Sequence, residues 1–403
     1  MLIGLIALHF LVGAMAAVWS RWLGRNAFLA VAIVPLLGFV LLLAESGPIL
    51  SGAAYVETMP WIPALGVSLT FRVGLLQWLL GLLVTGIGVI VLVYCRWYFS
   101  RPPARTLGLL VAFAGAMLGL VASDDLVVLY VFWELTTVFS YLMIGHDSSR
   151  RANRAAATTA LIVTTTGGLA MLVGIVTFGV LGGSFSLSAI LATPPQGLAA
   201  TAAALLMLAG ALSKSALAPF HFWLPGAMAA PTPVSAYLHA ATMVKAGVYL
   251  VAAMAPAFAS VPLWRPVIAI LGAATMILGG WRALRQDDLK LLLAYGTVSQ
   301  LGFIMLLVGL GTQAAAQAGL AMLLAHALFK ATLFLSVGVI DHSTGTRDIT
   351  KLSGLASRMP VVAVIAGLAA ASMAGLPPLF GFLAKAAALD AVVRLTGAGG
   401  FGT

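Results

Sequence analysis

Charge is scarce in this chain. Only 8% of its 403 residues are Asp, Glu, Lys or Arg, against roughly 25% in an ordinary soluble domain. A chain so poor in charge cannot cover a water-facing surface, which excludes a soluble enzyme, a nucleic-acid-binding domain and a disordered protein. Acidic residues are scarcest, 11 against 21 Lys and Arg. A net charge of +10 drawn from so few groups reads as loop charge beside a membrane, not as a nucleic-acid patch. A single cysteine, Cys95, rules out a disulfide framework and a multi-thiolate metal site. Phosphate loop, dinucleotide fingerprint, metal-ligand cluster and nucleophile elbow are all missing, so no cofactor is expected. Positive charge is also missing ahead of the first apolar run, where Arg21 and Arg25 follow instead; the N-terminus does not read as a cleavable signal.

What is there is apolar. Hydrophobic residues make up 62% and mean hydropathy is +1.10. Twelve runs approach the roughly 20 apolar residues that a bilayer core requires: 2–19, 27–44, 73–95, 106–122, 126–145, 156–180, 198–217, 234–256, 263–281, 289–310, 315–340 and 361–388. Pro- and Gly-rich turns separate them, and no soluble domain or linker is expected. The expected fold is an all-α polytopic membrane protein of about twelve transmembrane helices.

Loop charge sets an orientation. With the N-terminus outside, the odd-to-even loops hold fourteen of the 21 basic residues, Lys290 among them, and the opposite loops and tail hold Arg72, Arg265 and Arg394. That asymmetry is a positive-inside signal for a multi-pass protein of the cell membrane. The other four cations, Lys214, Lys245, Lys330 and Lys385, fall inside apolar spans.

A charge at the centre of a spanning helix costs roughly 2.5–3.5 kcal/mol even on the lenient insertion scale. Four lysines stand against one intramembrane carboxylate, Glu134. How firmly a buried ammonium holds its proton depends on the nearest counter-charge, so a row of lysines is a row of sites that moving one charge can switch. A proton path needs that property. Plainer readings stay open: a static Glu134–Lys214 pair, a packed polar network around His326 and Lys330, a His239 that caps a helix broken near Pro231 and Pro233. His9 and Cys95 read as helix filler, Ser213 and Thr242 as hydroxyls satisfied by their own backbone, and the many Gly and Ala residues as helix-packing surfaces.

An internal echo runs through the chain. Asp124-Asp125-Leu126 opens the fifth span and Asp287-Asp288-Leu289 the tenth, 163 positions later. An odd number of helices per unit inverts the second copy, which gives two five-helix inverted repeats, an architecture with ion sites at broken helices near the midplane. The breaks are expected in the seventh and twelfth spans, where Pro219 follows Lys214 and Pro377-Pro378 precedes Lys385. The units are then 1–104 with helices 1–3, 105–260 as the first repeat and 261–403 as the second, incomplete one. By the same offset an equivalent thirteenth helix would begin where the sequence stops, Gly397–Thr403 would be a loop, and the side of the bundle next to Lys385 would be left uncovered.

The run HFWLPGAMAAPTPVSAYLHAATMVKAG, residues 221–247, resembles the signature of antiporter-like subunits, a superfamily that spans Mrp-type sodium/proton antiporters, respiratory complex I and membrane-bound hydrogenases. FWELTTVFSYLMIGH (132–146), LLAYGTVSQLG (292–302), AHALFKATLFLSVG (325–338) and GLPPLFGFLAK (375–385) are similar to the same family, in order. HSTGTRDITKLSGL (342–355), WIPALGVSLTFRV (61–73) and Lys245 resemble the Mrp form, its large A-type subunit in particular. Gly74, Ala386 and the early end of the chain depart from the family pattern.

The resemblance implies a secondary transporter component with no covalent chemistry, in a hetero-oligomeric complex with other Mrp subunits. It makes Glu134 the fifth-helix glutamate, Lys214 and Lys245 the seventh- and eighth-helix lysines, His326 and Lys330 the eleventh-helix pair, and Lys385 the twelfth-helix lysine. Protons would pass from Lys214, as its pairing with Glu134 loosens, by way of His239 toward Lys245, Lys330 and Lys385. Sodium exchange is implied by the family alone. Glu134 and Lys214 are then expected within ion-pair or one-water distance, about 3–6 Å. The alternative is a proton-pumping module of a redox enzyme.

Overall fold

The computed structural model describes residues 1–62, 64 and 67–397. Among these, nine helices are long and apolar enough to cross a membrane, and Leu2–Ala14, Leu198–Lys214 and Pro360–Ala374 are shorter apolar helices. Each of the twelve expected spans therefore has its helix. The spanning elements are α1 (Leu2–Ala14), α2 (Ala16–Leu23), α3 (Ala27–Ala44), α4 (Leu75–Tyr98), α5 (Ala104–Ala122), α6 (Leu126–Ile144), α7 (Arg151–Gly182), α8 (Leu198–Lys214), α9 (Lys245–Phe258), α10 (Trp264–Ala283), α11 (Leu289–Gly309), α12 (Gln313–Thr344), α13 (Pro360–Ala374) and α14 (Phe380–Gly397). Close packing rests on small residues. A Cβ on Gly13 of α1 would lie 2.9 Å from the Gly108 carbonyl of α5, so the two backbones touch only because both positions are glycine.

One element departs from the all-α expectation. Between the second and third spans, β1 (Tyr55–Ile62) and β2 (Val67–Val73) pair antiparallel as a hairpin. Its strands are rich in β-branched and aromatic residues, with Val67, Phe71 and Val73 buried. The expected third span, 73–95, takes in only Val73, the last residue of β2. The helix instead begins at Leu75, behind Gly74, whose amide donates to Gln77 Oε1 at 3.2 Å. The expected tail loop lies at 398–403, outside the described residues; Gly397 itself ends α14.

The echo seen in sequence is structural. Asp125 caps α6, accepting from the Val127 and Val128 amides, and Asp288 caps α11 the same way through Lys290 and Leu291. α7 and α12 are both 32 residues long, 162 positions apart, and both end on a left-handed glycine, Gly183 (φ 64) and Gly345 (φ 72). Asp125 bridges Ser186, and Asp288 bridges Asp348. The two copies are inverted. The Asp124 amide donates to Thr70 of the hairpin, and its carboxylate accepts from Ser186. Asp288 instead pairs with Arg347 at 3.2 Å, and Arg347 shares a cavity with His146 at the far end of α6. The hairpin and Asp124 thus mark one face of the bundle, and His146, Arg150 and Arg347 the other.

Both expected breaks are present. α8 stops at Lys214, and Ala216 follows in the left-handed region (φ 54), which a side chain adopts only under strain. The freed backbone is held from other helices: the Ala218 amide donates to Thr275 Oγ1, and the Ser213 carbonyl accepts from Trp223 Nε1. α13 stops at Ala374, Gly375 turns left-handed (φ 85), and α14 resumes at Phe380. Unwound backbone at membrane depth survives only where protein or water satisfies it.

Candidate functional site

Lys214 is the last residue of α8, fully buried. Its ammonium makes its hydrogen bonds to α6 rather than a direct ion pair with Glu134. Nζ donates to the Trp133 carbonyl at 2.6 Å and to Thr137 Oγ1 at 2.8 Å, both on α6, and stands 4.7 Å from the centre of the Trp133 ring. No ion pair within 4.0 Å joins it to Glu134, whose Oε1 is buried without a hydrogen-bond partner. The two remain close enough for a charge–charge interaction. Gly168 of α7 makes the room, since a Cβ there would run into Glu134 Oε1.

The eighth span is broken as well. A π-helical turn, Ala236–Ala241, carries His239, and α9 starts only at Lys245. A π turn frees backbone groups and often marks a functional position. Here the freed Ala240 carbonyl accepts from Lys245 Nζ at 2.5 Å, and the Thr242 hydroxyl donates back to the Tyr237 carbonyl. The expectation that Ser213 and Thr242 serve their own backbone holds, with Ser213 Oγ on the Gly210 carbonyl. His239 is fully buried with both ring nitrogens unpartnered, its ring 5.9 Å from that of Trp223; it is not a helix cap.

α9 docks on α8 beside both lysines. Ser215 Oγ donates to the Val244 carbonyl at 2.7 Å, so the residues next to Lys214 and Lys245 in sequence touch. Beyond Lys245, His326 of α12 lies within electrostatic reach of both Lys245 and Lys330. Its two ring nitrogens are buried and unpartnered. Lys330 Nζ donates to the Leu293 carbonyl of α11 at 3.1 Å.

Lys385 differs. It is partly exposed, and its Nζ crosses the break in the twelfth span to the Met373 and Ala374 carbonyls, at 2.8 and 3.0 Å. A cation there meets the negative end of α13. Among the described residues, no group of three or more His, Cys, Asp or Glu could hold a metal ion.

Residues 123–398 match the family model described as NADH:quinone oxidoreductase/Mrp antiporter, TM. The chain belongs to this antiporter family. An A-type Na(+)/H(+) antiporter subunit from Alkalihalophilus pseudofirmus is 43% identical over 91% of this chain and 48% of its own length. A probable K(+)/H(+) antiporter subunit of the A/B type, from Rhizobium meliloti, is 46% identical over 83% of this chain and 34% of its own. The chain thus spans half or less of these curated relatives. In a structure of the Mrp complex from Dietzia sp. DQ12-45-1b, a chain 42% identical superposes with a TM-score of 0.91, covering 96% of this chain and 43% of that one. Respiratory complex I from Thermus thermophilus gives 0.85 at 28% identity, covering 96% and 82%. The expected resemblance to the large Mrp antiporter subunit is borne out by these relatives.

Within this antiporter-family fold, one buried cation was misassigned from sequence. Lys290, counted with the loop charges, is 1% exposed; its Nζ donates to the Met228 carbonyl at 2.9 Å and to that of Ala230. It lines a polar cavity of about 270 Å³ with Tyr98, His146, Asp341 and Arg347. The second residue of a helix reads as an end in sequence. Only the fold of 228–231 back over α11 buries it. The carbonyl and hydroxyl that hold Lys214 were equally invisible, because nothing in a sequence says which acceptors a buried ammonium will find.

Proposed function

We propose that this chain is a proton-conducting part of a multisubunit monovalent cation/proton antiporter, and that Glu134, Lys214, His239, Lys245, His326, Lys330 and Lys385 carry the protons. The observation behind this reading is the set of fully buried cations Lys214, Lys245 and Lys330, none with a carboxylate in ion-pair contact, interleaved with buried, unpartnered His326. Groups of this kind are costly at membrane depth and are kept for ion pathways. Moving one charge through the membrane field takes about 2.3 kcal/mol per 100 mV. Relocating a buried counter-charge is worth a comparable amount, since each unit of proton affinity corresponds to about 1.36 kcal/mol.

In this reading the exchanged ion is sodium, leaving the cytoplasm against external protons, and the partners are other subunits of an Mrp-type complex in the plasma membrane. Residues 1–104, 105–260 and 261–403 are then the N-terminal helices 1–3, the first repeat and the second, incomplete repeat. Lys290, in the cavity beside His146, would be a further protonatable group on that side. In vesicles carrying the intact complex, sodium is expected to dissipate an imposed pH gradient without any electron donor. A response that appears only with a donor favours the redox-driven pump, the second reading, which the likeness to complex I supports.

The orientation has its own test. The face with Arg150 and Arg347 is proposed as cytoplasmic. Cys95 is fully buried and leaves a low background for thiol labelling. Ser149→Cys is expected to react only from the cytoplasmic side and Ser51→Cys only from outside. Labelling of both from one side overturns the topology.

A further inference from the structure

The resting place of Lys214 is itself informative. A threonine hydroxyl has one donor and two acceptor lone pairs. Thr137 spends its donor on the Trp133 carbonyl at 3.2 Å and offers a lone pair to Lys214 Nζ. The same carbonyl also receives the Thr136 hydroxyl at 2.7 Å. The α6 backbone and these hydroxyls thus form a small, fixed cluster of oxygens that faces the ammonium. Glu134 lies one residue from Trp133 and three from Thr137, so the carboxylate and the oxygen cluster are on the same turn of helix. Glu134 Oε1 has no hydrogen-bond partner, buried though it is. That unpaired buried acceptor lies within charge–charge range of the same ammonium, so it is the competing place for the lysine.

We propose that the Trp133 carbonyl and the Thr137 hydroxyl form a second seat for the Lys214 ammonium, in competition with Glu134, and that Thr137 is the positioning residue that holds the lysine off the carboxylate. The two seats differ in one respect that matters for transport. In the carbonyl–hydroxyl seat the ammonium is held by neutral groups, leaving the Glu134 charge free to act on its surroundings; at Glu134 the two charges cancel. Thr137 therefore controls how long the pair stays separated. The proposal builds on the reading that Glu134 and Lys214 belong to the proton route, but the seat is a matter of geometry and can be checked without transport.

The test is a high-resolution map of the assembled complex carrying Thr137→Val, which keeps the shape and removes the hydroxyl. Lys214 Nζ is expected within 4 Å of the Glu134 carboxylate in that variant, and back on the Trp133 carbonyl in Thr137→Ser. Thr137→Ala serves the same purpose if the valine variant does not assemble. An Nζ that stays on the Trp133 carbonyl without the hydroxyl overturns the proposal. Transport is read in parallel: turnover of Thr137→Val is expected to fall about tenfold with the KM for sodium unchanged, and Thr137→Ser to restore it. If the lysine moves to Glu134 while turnover stays at its original value, the seat stands and it is the proton-route reading that fails.

Discussion

Lys214→Ala is expected to reduce cation-driven proton exchange by at least about 100-fold, the lower end of what a positioned proton-transfer group contributes, while the complex still assembles. Alanine suits the last turn of α8, and the Trp133 carbonyl and Thr137 hydroxyl left behind still have each other, 3.2 Å apart. What disappears is a buried cation whose charge acts on Glu134 from the end of α8. Co-purification of partner chains with the variant checks assembly, and the sodium-dependent collapse of a pH gradient checks transport. Full activity in an assembled Lys214→Ala complex takes this lysine out of the mechanism and leaves it a static structural role beside Glu134 and α6.

Gly247→Val is the second change with a large expected effect, this time on folding. A Cβ on Gly247 would lie 2.8 Å from the Ala211 carbonyl carbon, nearer still to that carbonyl oxygen, and against Ser215 Oγ. Ordinary overpacking costs about 1–3 kcal/mol; backbone on the opposing side cannot step aside as a side chain does, so the cost here is expected at or above the top of that range. The residues displaced, Ala211 and Ser215, lie three before and one after Lys214, and Gly247 itself lies two after Lys245. A lowered melting temperature and poor recovery of monodisperse complex are the expected readout. An unchanged melting temperature shows that α8 and α9 do not rely on this contact.

The repeat and the helix breaks were legible in sequence because they depend on local chemistry. An Asp pair before an apolar run is a helix cap wherever it occurs, and Pro377-Pro378 cannot sit within an uninterrupted turn. The hairpin was not legible, because alternation over seven or eight residues vanishes in a window wide enough to find a membrane helix. For the site, burial of Lys214, Lys245, His326 and Lys330 followed from their place in apolar spans. Their partners did not. Opposite charge in a sequence points Lys214 to Glu134, and the two do interact through their charges, but the hydrogen bonds of the ammonium go to a carbonyl and a hydroxyl that no sequence pattern marks. Lys290 was missed for the converse reason: its burial depends on a loop about 60 residues away in sequence.

That preference for backbone is shared. Lys214, Lys245, Lys290, Lys330 and Lys385 each donate to at least one main-chain carbonyl. A peptide oxygen carries no net charge and can accept from an ammonium or, more weakly, from the neutral amine that remains when one of its three protons leaves. A lysine locked to a carboxylate would strand an anion in hydrocarbon on giving up its proton; a lysine on a carbonyl strands nothing. Its side chain keeps the same anchor before and after. In the proposed proton route, each such residue would be a relay station whose geometry survives its own discharge, and the chain of stations would not need rebuilding between one ion and the next.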